Sequence, residues 1–159
     1  MTSSIDPISV PCFLLAAGRG ERMRPLTDVL PKPLLSIKNK SLLAWHLEAL
    51  SRSGIQKVVI NHAWLGQKIE DALGNGSQFG LTITYSPEVS ALETAGGIRK
   101  ALPKLAPDDY FLAINGDVFS PNFPIQDLVG KISQLRKNPS PILAHLIMVP
   151  NPPQHPEGD

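Results

Sequence analysis

The chain reads as an α/β domain with a mostly parallel sheet and helices on both faces. Three observations predict this. Short apolar runs at Phe13–Ala17, Lys57–Asn61 and Tyr110–Ile114 have the length and continuity of strands buried on both sides. Segments with apolar residues at helical spacing separate them. Strands that alternate with helices pair in parallel through right-handed crossovers, which lay the helices over the sheet.

The elements follow in order. After the first strand and its loop, Ser41 is placed to cap a helix running to about Ser53. Its apolar residues include Leu42, Leu43, Trp45, Leu47 and Leu50, and Gly54 stops it. Lys57–Asn61 is the second strand. Leu65–Leu73 is a short amphipathic helix ended by Gly74-Asn75-Gly76. Leu81–Tyr85 alternates as a strand, with Thr82 and Thr84 on one face. Thr94 is expected to open a helix that runs through Leu102, before Pro103. Tyr110–Ile114 is a strand that turns away at Gly116-Asp117. Pro124 starts a helix to about Arg136, and Ile142–Val149 is expected as a last strand. There is no internal repeat. The expected layout is a loose N-terminal extension over 1–10, a core over 11–149 and a proline-rich tail over 150–159.

Composition excludes several classes. A chain of 159 residues suits one domain with a genuine core. Hydrophobic residues make up 42% and charged residues 18%, which argues against disorder. The net charge of +1 provides no field to recruit nucleic acid or an anionic membrane. Charge is local instead: Arg19 to Lys40 carries six Lys/Arg against Glu21 and Asp28, a patch of phosphate size. Cys12 is the single cysteine, so an intramolecular disulfide or thiolate cluster is impossible. No apolar stretch approaches 18 residues, and MTSSIDPISVP has no basic start or long apolar core. A cytoplasmic protein is expected.

The segment Leu14–Leu34, LLAAGRGERMRPLTDVLPKPL, carries the chemistry. Gly18 and Gly20 allow positive φ and a bare backbone. Successive N–H groups there make an anion-binding hollow that Arg22 reinforces with its planar fork. A dinucleotide turn would need glycine where Met23 stands and a helix at once, where Pro25 intervenes. A Walker loop would need Gly-Lys-Ser/Thr, which is absent. Lys32 lies between Pro31 and Pro33, which stiffen its backbone and push it towards extended geometry. Two fixed cations ten residues apart suit a triphosphate. Asp117 follows a buried strand, so it points to the same rim of the sheet, where a carboxylate can hold Mg²⁺ against phosphate oxygens.

LLAAGRGERMRPLT followed by PKP resembles the signature of the sugar-1-phosphate nucleotidyltransferases. NHAWLGQKIEDALGNGSQFGLTITYSPE, LETAGGI and INGDVF resemble the branch that includes the N-acetylmuramate 1-phosphate uridylyltransferases. The likeness runs from about Phe13 to Asp159. It implies a Rossmann-like three-layer α/β/α nucleotidyltransferase domain with a mostly parallel mixed sheet. It also implies a Mg²⁺-dependent enzyme that moves UMP from UTP to a sugar-1-phosphate. Glucose-1-phosphate thymidylyl- or uridylyltransferases and mannose-1-phosphate guanylyltransferases are neighbouring alternatives. Arg22, Lys32 and Asp117 are implied as catalytic, with Asp117 the metal ligand. Nucleotide contacts are implied at Ala17, Gly18, Gly20, Glu21, Arg22, Lys32 and Asn115. Glu93, Thr94 and Gly96 fall in the base-recognition loop, where paired glycines bring backbone close to a flat base.

The family's second metal aspartate and much of its sugar pocket come from further along than Asp159, so nucleotide binding is expected to outlast sugar transfer in these 159 residues. His155 and Gly158 fall where sugar-phosphate contacts begin. His62, at a strand end, is a candidate for the cleft wall, while Trp45, His46 and Trp64 read as packing. Two other classes compete. A nucleotide sensor would not need both cations and the aspartate, and a dehydrogenase is disfavoured by Met23.

Overall fold

The computed structural model describes residues 10–105, 110–138, 143–148, 151, 153, 156 and 157. Among the described residues, four strands form one sheet: β1 (Cys12–Leu15), β4 (Lys57–His62), β5 (Thr82–Pro87) and β6 (Leu112–Asn115), in the order β5-β4-β1-β6. Every pairing is parallel, with Leu14 opposite Ile60 on one side and Ile114 on the other. A two-stranded hairpin, β2 (Ser36–Ile37) and β3 (Lys40–Ser41), stands apart.

Alternation along the strands divides the core. Cys12, Leu14, Val58 and Ile60 face Leu43, Leu47 and Leu50 of α2 (Leu42–Arg52), Ile69 and Leu73 of α3 (Gly66–Leu73), and Ile125 and Ile132 of α5 (Ile125–Lys137). Phe13 and Val59 face Ala101 and Leu105 of α4 (Glu93–Leu105). This gives the expected three layers, held by side chains whose burial contributes roughly 1.5–3 kcal/mol each. Cys12 is wholly buried, and burial pushes its thiol far above the ordinary range, so it is inert packing.

Local signals placed α2 accurately: Ser41 Oγ accepts the Ala44 N–H at 3.2 Å, closing the first turn. Four expectations need correction. Helix α4 continues through Pro103 to Leu105, because burial of Leu105, 3% exposed against Phe13 and Val59, offsets the hydrogen bond that the proline cannot donate. It begins at Glu93, so Thr94 lies inside its first turn and not at the cap. Residues 143–148 form no strand, and Leu143 and Met148 are fully or largely exposed. An apolar run confers propensity, but a strand also needs a neighbour for its backbone groups, and none pairs with this segment among the described residues. Lys32 is not extended: it opens a 3₁₀ turn, Lys32–Leu34, closed by Leu34 N–H to Pro31 O at 2.8 Å and anchored by buried Pro33 and Leu34. A short helix α1 (Leu26–Val29) follows the glycine loop and was not foreseen.

Candidate active site

Strand β1 is central, so its carboxyl end lies between those of β4 and β6. Gly20 adopts φ 69°, and a Cβ there would stand 2.9 Å from Lys32 Cβ. The loop therefore packs directly on the lysine stem. The Thr27 hydroxyl, buried at 1% exposure, donates to Gly20 O at 2.9 Å and fixes the same turn. Gly18 does not use positive φ; it is exposed, with open space around it.

Asp117 is placed from the other side. The Gly116 N–H donates to Leu15 O at 2.9 Å, and a Cβ on Gly116 would meet that oxygen at 3.0 Å. The turn is thus tucked against the end of β1. Phe119 packs edge-on against Trp45, with ring centroids 5.5 Å apart, and Trp45 Nε1 donates to Ile37 O at 3.1 Å. Buried His46 lies beneath the turn. Burial lowers its pKa, opposed by a hydrogen bond with the Val118 backbone and by the Asp117 charge.

Lys32 Nζ and Asp117 Oδ2 meet at 2.6 Å, with side chains 25% and 39% exposed. An exposed pair of this kind stabilises a fold by no more than about 1 kcal/mol. Arg22 is exposed and forms no ion pair among the described residues. A pocket of about 670 Å³ is lined by Ala16, Gly18, Gly20, Glu21, Arg22, Lys32 and Asp117, among others. Ala17 is buried behind it. Thr94 and Asn115 line a separate, largely apolar trough of about 730 Å³, together with His46, Ile98, Phe111 and Leu146. Glu93 and Gly96 line neither. His155 and Gly158 lie outside the described residues.

His62 is not in the cleft. It is buried, its Nε2 lies 2.7 Å from Glu70 Oε1, and Gly66 presses on its ring. Trp64 does more than pack: Nε1 donates to Thr27 O at 2.9 Å, and the Arg19 guanidinium stacks 3.3 Å above its ring. Sequence reasoning also missed Asn61 and Glu88, buried polar side chains at the ends of β4 and β5. Their signal was present, since polar residues that close apolar strands need partners.

Comparison with known proteins bears on the family and the fold. The sequence profile of the nucleotidyl transferase family matches residues 12–155. The chain is 53% identical to an N-acetylmuramate alpha-1-phosphate uridylyltransferase of Neisseria meningitidis, over 92% of this chain and 62% of that relative. It is 36% identical to a UTP–glucose-1-phosphate uridylyltransferase of Synechocystis, over 66% of this chain and 30% of that one. The chain thus spans less than two thirds of the relatives it matches. The structure of HddC from Yersinia pseudotuberculosis with GMP-PN superposes with a TM-score of 0.66 at 24% identity, covering 79% of this chain and 54% of that one. The mostly parallel sheet and its flanking helices are the fold of that neighbour. By its profile match and its relatives, the chain belongs to the nucleotidyl transferase family.

Proposed function

We propose that this chain binds a nucleoside triphosphate, UTP before others, and serves transfer of its nucleoside monophosphate to a sugar-1-phosphate. N-acetylmuramate 1-phosphate is the favoured acceptor, because the Neisseria relative carries that name. One observation carries the reading: Arg22, Lys32 and Asp117 line a single pocket against exposed loop backbone.

In this reading the acceptor's phosphate oxygen attacks the α-phosphorus in line. A new P–O bond forms as the bond to the β-phosphate oxygen breaks, and pyrophosphate leaves with the electron pair. No side chain need gain or lose a proton. Arg22 steadies the departing pyrophosphate. Lys32 draws the α-phosphate and the acceptor phosphate together against their repulsion. The backbone from Gly18 to Glu21 lines the polyphosphate, and the base and sugar reach beyond that pocket towards Leu92–Gly97 and Asn115, which form no part of its lining.

Asp117 fits a hard cation. Its carboxylate is part-exposed in the pocket, and among the described residues no trio of His, Cys, Asp or Glu forms a cage. That suits Mg²⁺, which is bound through one or two carboxylates with substrate phosphates completing the shell. When bound it would neutralise phosphate charge as a Lewis acid. No helix among the described residues is long and apolar enough to cross a membrane, and a cytoplasmic setting accords with a UTP-dependent reaction.

The test is a matrix of UTP, dTTP, GTP and CTP against N-acetylmuramate, glucose and mannose 1-phosphates. Binding is read by calorimetry and turnover by pyrophosphate release, with and without Mg²⁺. UTP binding that is lost in Arg22→Ala supports the reading. Failure of every triphosphate to bind removes it.

A further inference from the structure

A buried chain of hydrogen bonds joins the strand before the phosphate loop to the start of α4. The Ala16 N–H donates to Asn61 Oδ1 at 2.7 Å, and Asn61 Nδ2 donates to Glu88 Oε1 at 2.8 Å. The Leu92 N–H donates to Glu88 Oε2 at 2.9 Å. Asn61 and Glu88 are 2% and 6% exposed, and neither lines either cavity. Helix α4 lies directly on this chain, since a Cβ on Gly97 would stand 2.9 Å from Asn61 Nδ2 and 3.1 Å from Glu88 Oε1. This close contact accounts for one of the two glycines read from sequence as facing a base.

The polarity of the chain is fixed at both ends, because a main-chain N–H can only donate. Each end therefore needs an acceptor, and the link between the side chains needs one donor. One amide and one carboxylate satisfy all three bonds. Two amides leave donor facing donor, and two carboxylates set like charges together unless a proton is shared. Asparagine with glutamate meets the condition. Aspartate with glutamine meets it equally, with the middle bond reversed and the charge unchanged.

We propose that Asn61 and Glu88 are positioning residues that lock the Leu92–Gly97 segment in register with the phosphate pocket, so that one nucleotide is held by base and polyphosphate together. The inference rests on the reading of Leu92–Gly97 as the base side of the site. It assigns discrimination between a nucleotide and a bare polyphosphate to two residues that touch neither.

The experiment compares the parent chain with Asn61→Asp, Glu88→Gln and the double variant. Hydrogen exchange of the Leu92 amide reports the latch, and calorimetry with UTP and inorganic tripolyphosphate reports the site. Each single variant should speed Leu92 exchange at least tenfold and weaken UTP at least tenfold. Tripolyphosphate should stay within threefold, because residue 61 still accepts the Ala16 N–H in every variant. The double variant should return to within threefold of the parent in both readouts. Single variants that do not fold beside a folded, UTP-binding double variant support the proposal equally.

A double variant no better than the worse single, or singles with parental exchange and selectivity, overturns the proposal. If the parent binds neither UTP nor tripolyphosphate, the nucleotide reading fails and takes the positioning role with it. The Leu92 exchange pattern then still shows whether the latch itself exists.

Discussion

Lys32 and Asp117 lie 85 residues apart in the chain, yet Lys32 Nζ stands 2.6 Å from Asp117 Oδ2. Both side chains are part-exposed, so the pair adds little to stability. Its value lies in what else the two groups can hold. Lys32→Met should move the urea midpoint by less than about 1 kcal/mol in stability. The same change removes a charge-assisted phosphate contact worth roughly 1.5–3 kcal/mol, so UTP binding should weaken about 10- to 100-fold. Calorimetry beside urea melts decides it; a large stability loss with unchanged binding would show a structural pair.

Gly20 tests the floor of the pocket. Alanine there meets a left-handed backbone at φ 69°, which costs roughly 1–2 kcal/mol. Its Cβ also collides with Lys32 Cβ. Gly20→Ala should lower both stability and polyphosphate affinity, whereas Gly18→Ala, in open space, should leave the urea midpoint within about 0.5 kcal/mol. Equal melting points for the parent and Gly20→Ala would contradict the close packing.

Trp64 braces the loop from the opposite side through Thr27 O and Arg19. Trp64→Phe deletes the indole donor and weakens the stack, at an expected cost of about 1–2 kcal/mol in urea unfolding. With Trp45→Phe as background, Trp64 becomes the sole tryptophan and its emission should respond to UTP. An unresponsive signal at saturating, calorimetrically proven UTP would show that the loop is unmoved by ligand.

His46 sets a pH dependence. Its folded pKa is lowered, chiefly by burial, so below about pH 6.5 the unfolded chain takes up a proton that the folded one resists. Stability contributed by the neutral ring is complete above that pH and declines as pH falls towards the folded value. His46→Leu should lose less stability than the parent between pH 7.5 and 5.5, measured by urea midpoints. Parallel losses in the two proteins would remove this assignment.

What could be read in advance was what is local. Ser41 capping α2, Gly54 ending it and the apolar run of β1 are decided by neighbours in sequence, and each appears where expected. The hairpin at Ser36–Ser41 was invisible because its strands are two residues long and its turn places Lys38 and Asn39, neither of them glycine, at positive φ. Ile142–Val149 had the apolar run of a strand, but residues 143–148 of it find no strand to pair with among the described residues. At the site, the glycine loop, Lys32 and Asp117 were legible because charge and backbone freedom stand out in a sequence. Asn61 and Glu88 stood out only as polar residues in need of partners; that they partner each other was not legible, because they lie 27 positions apart in the chain.

The placement of β1 between β4 and β6 has one more consequence. The pocket's walls come from the loop after β1 and from Asp117 after the neighbouring strand β6, so it is complete only once that strand has docked. A molecule seated there would act as a staple between these two strands, tying residues about a hundred positions apart in the chain. Protease resistance gained on saturation should then spread beyond the loop to the Leu112–Asn115 edge, with ligand and folding reporting on one another.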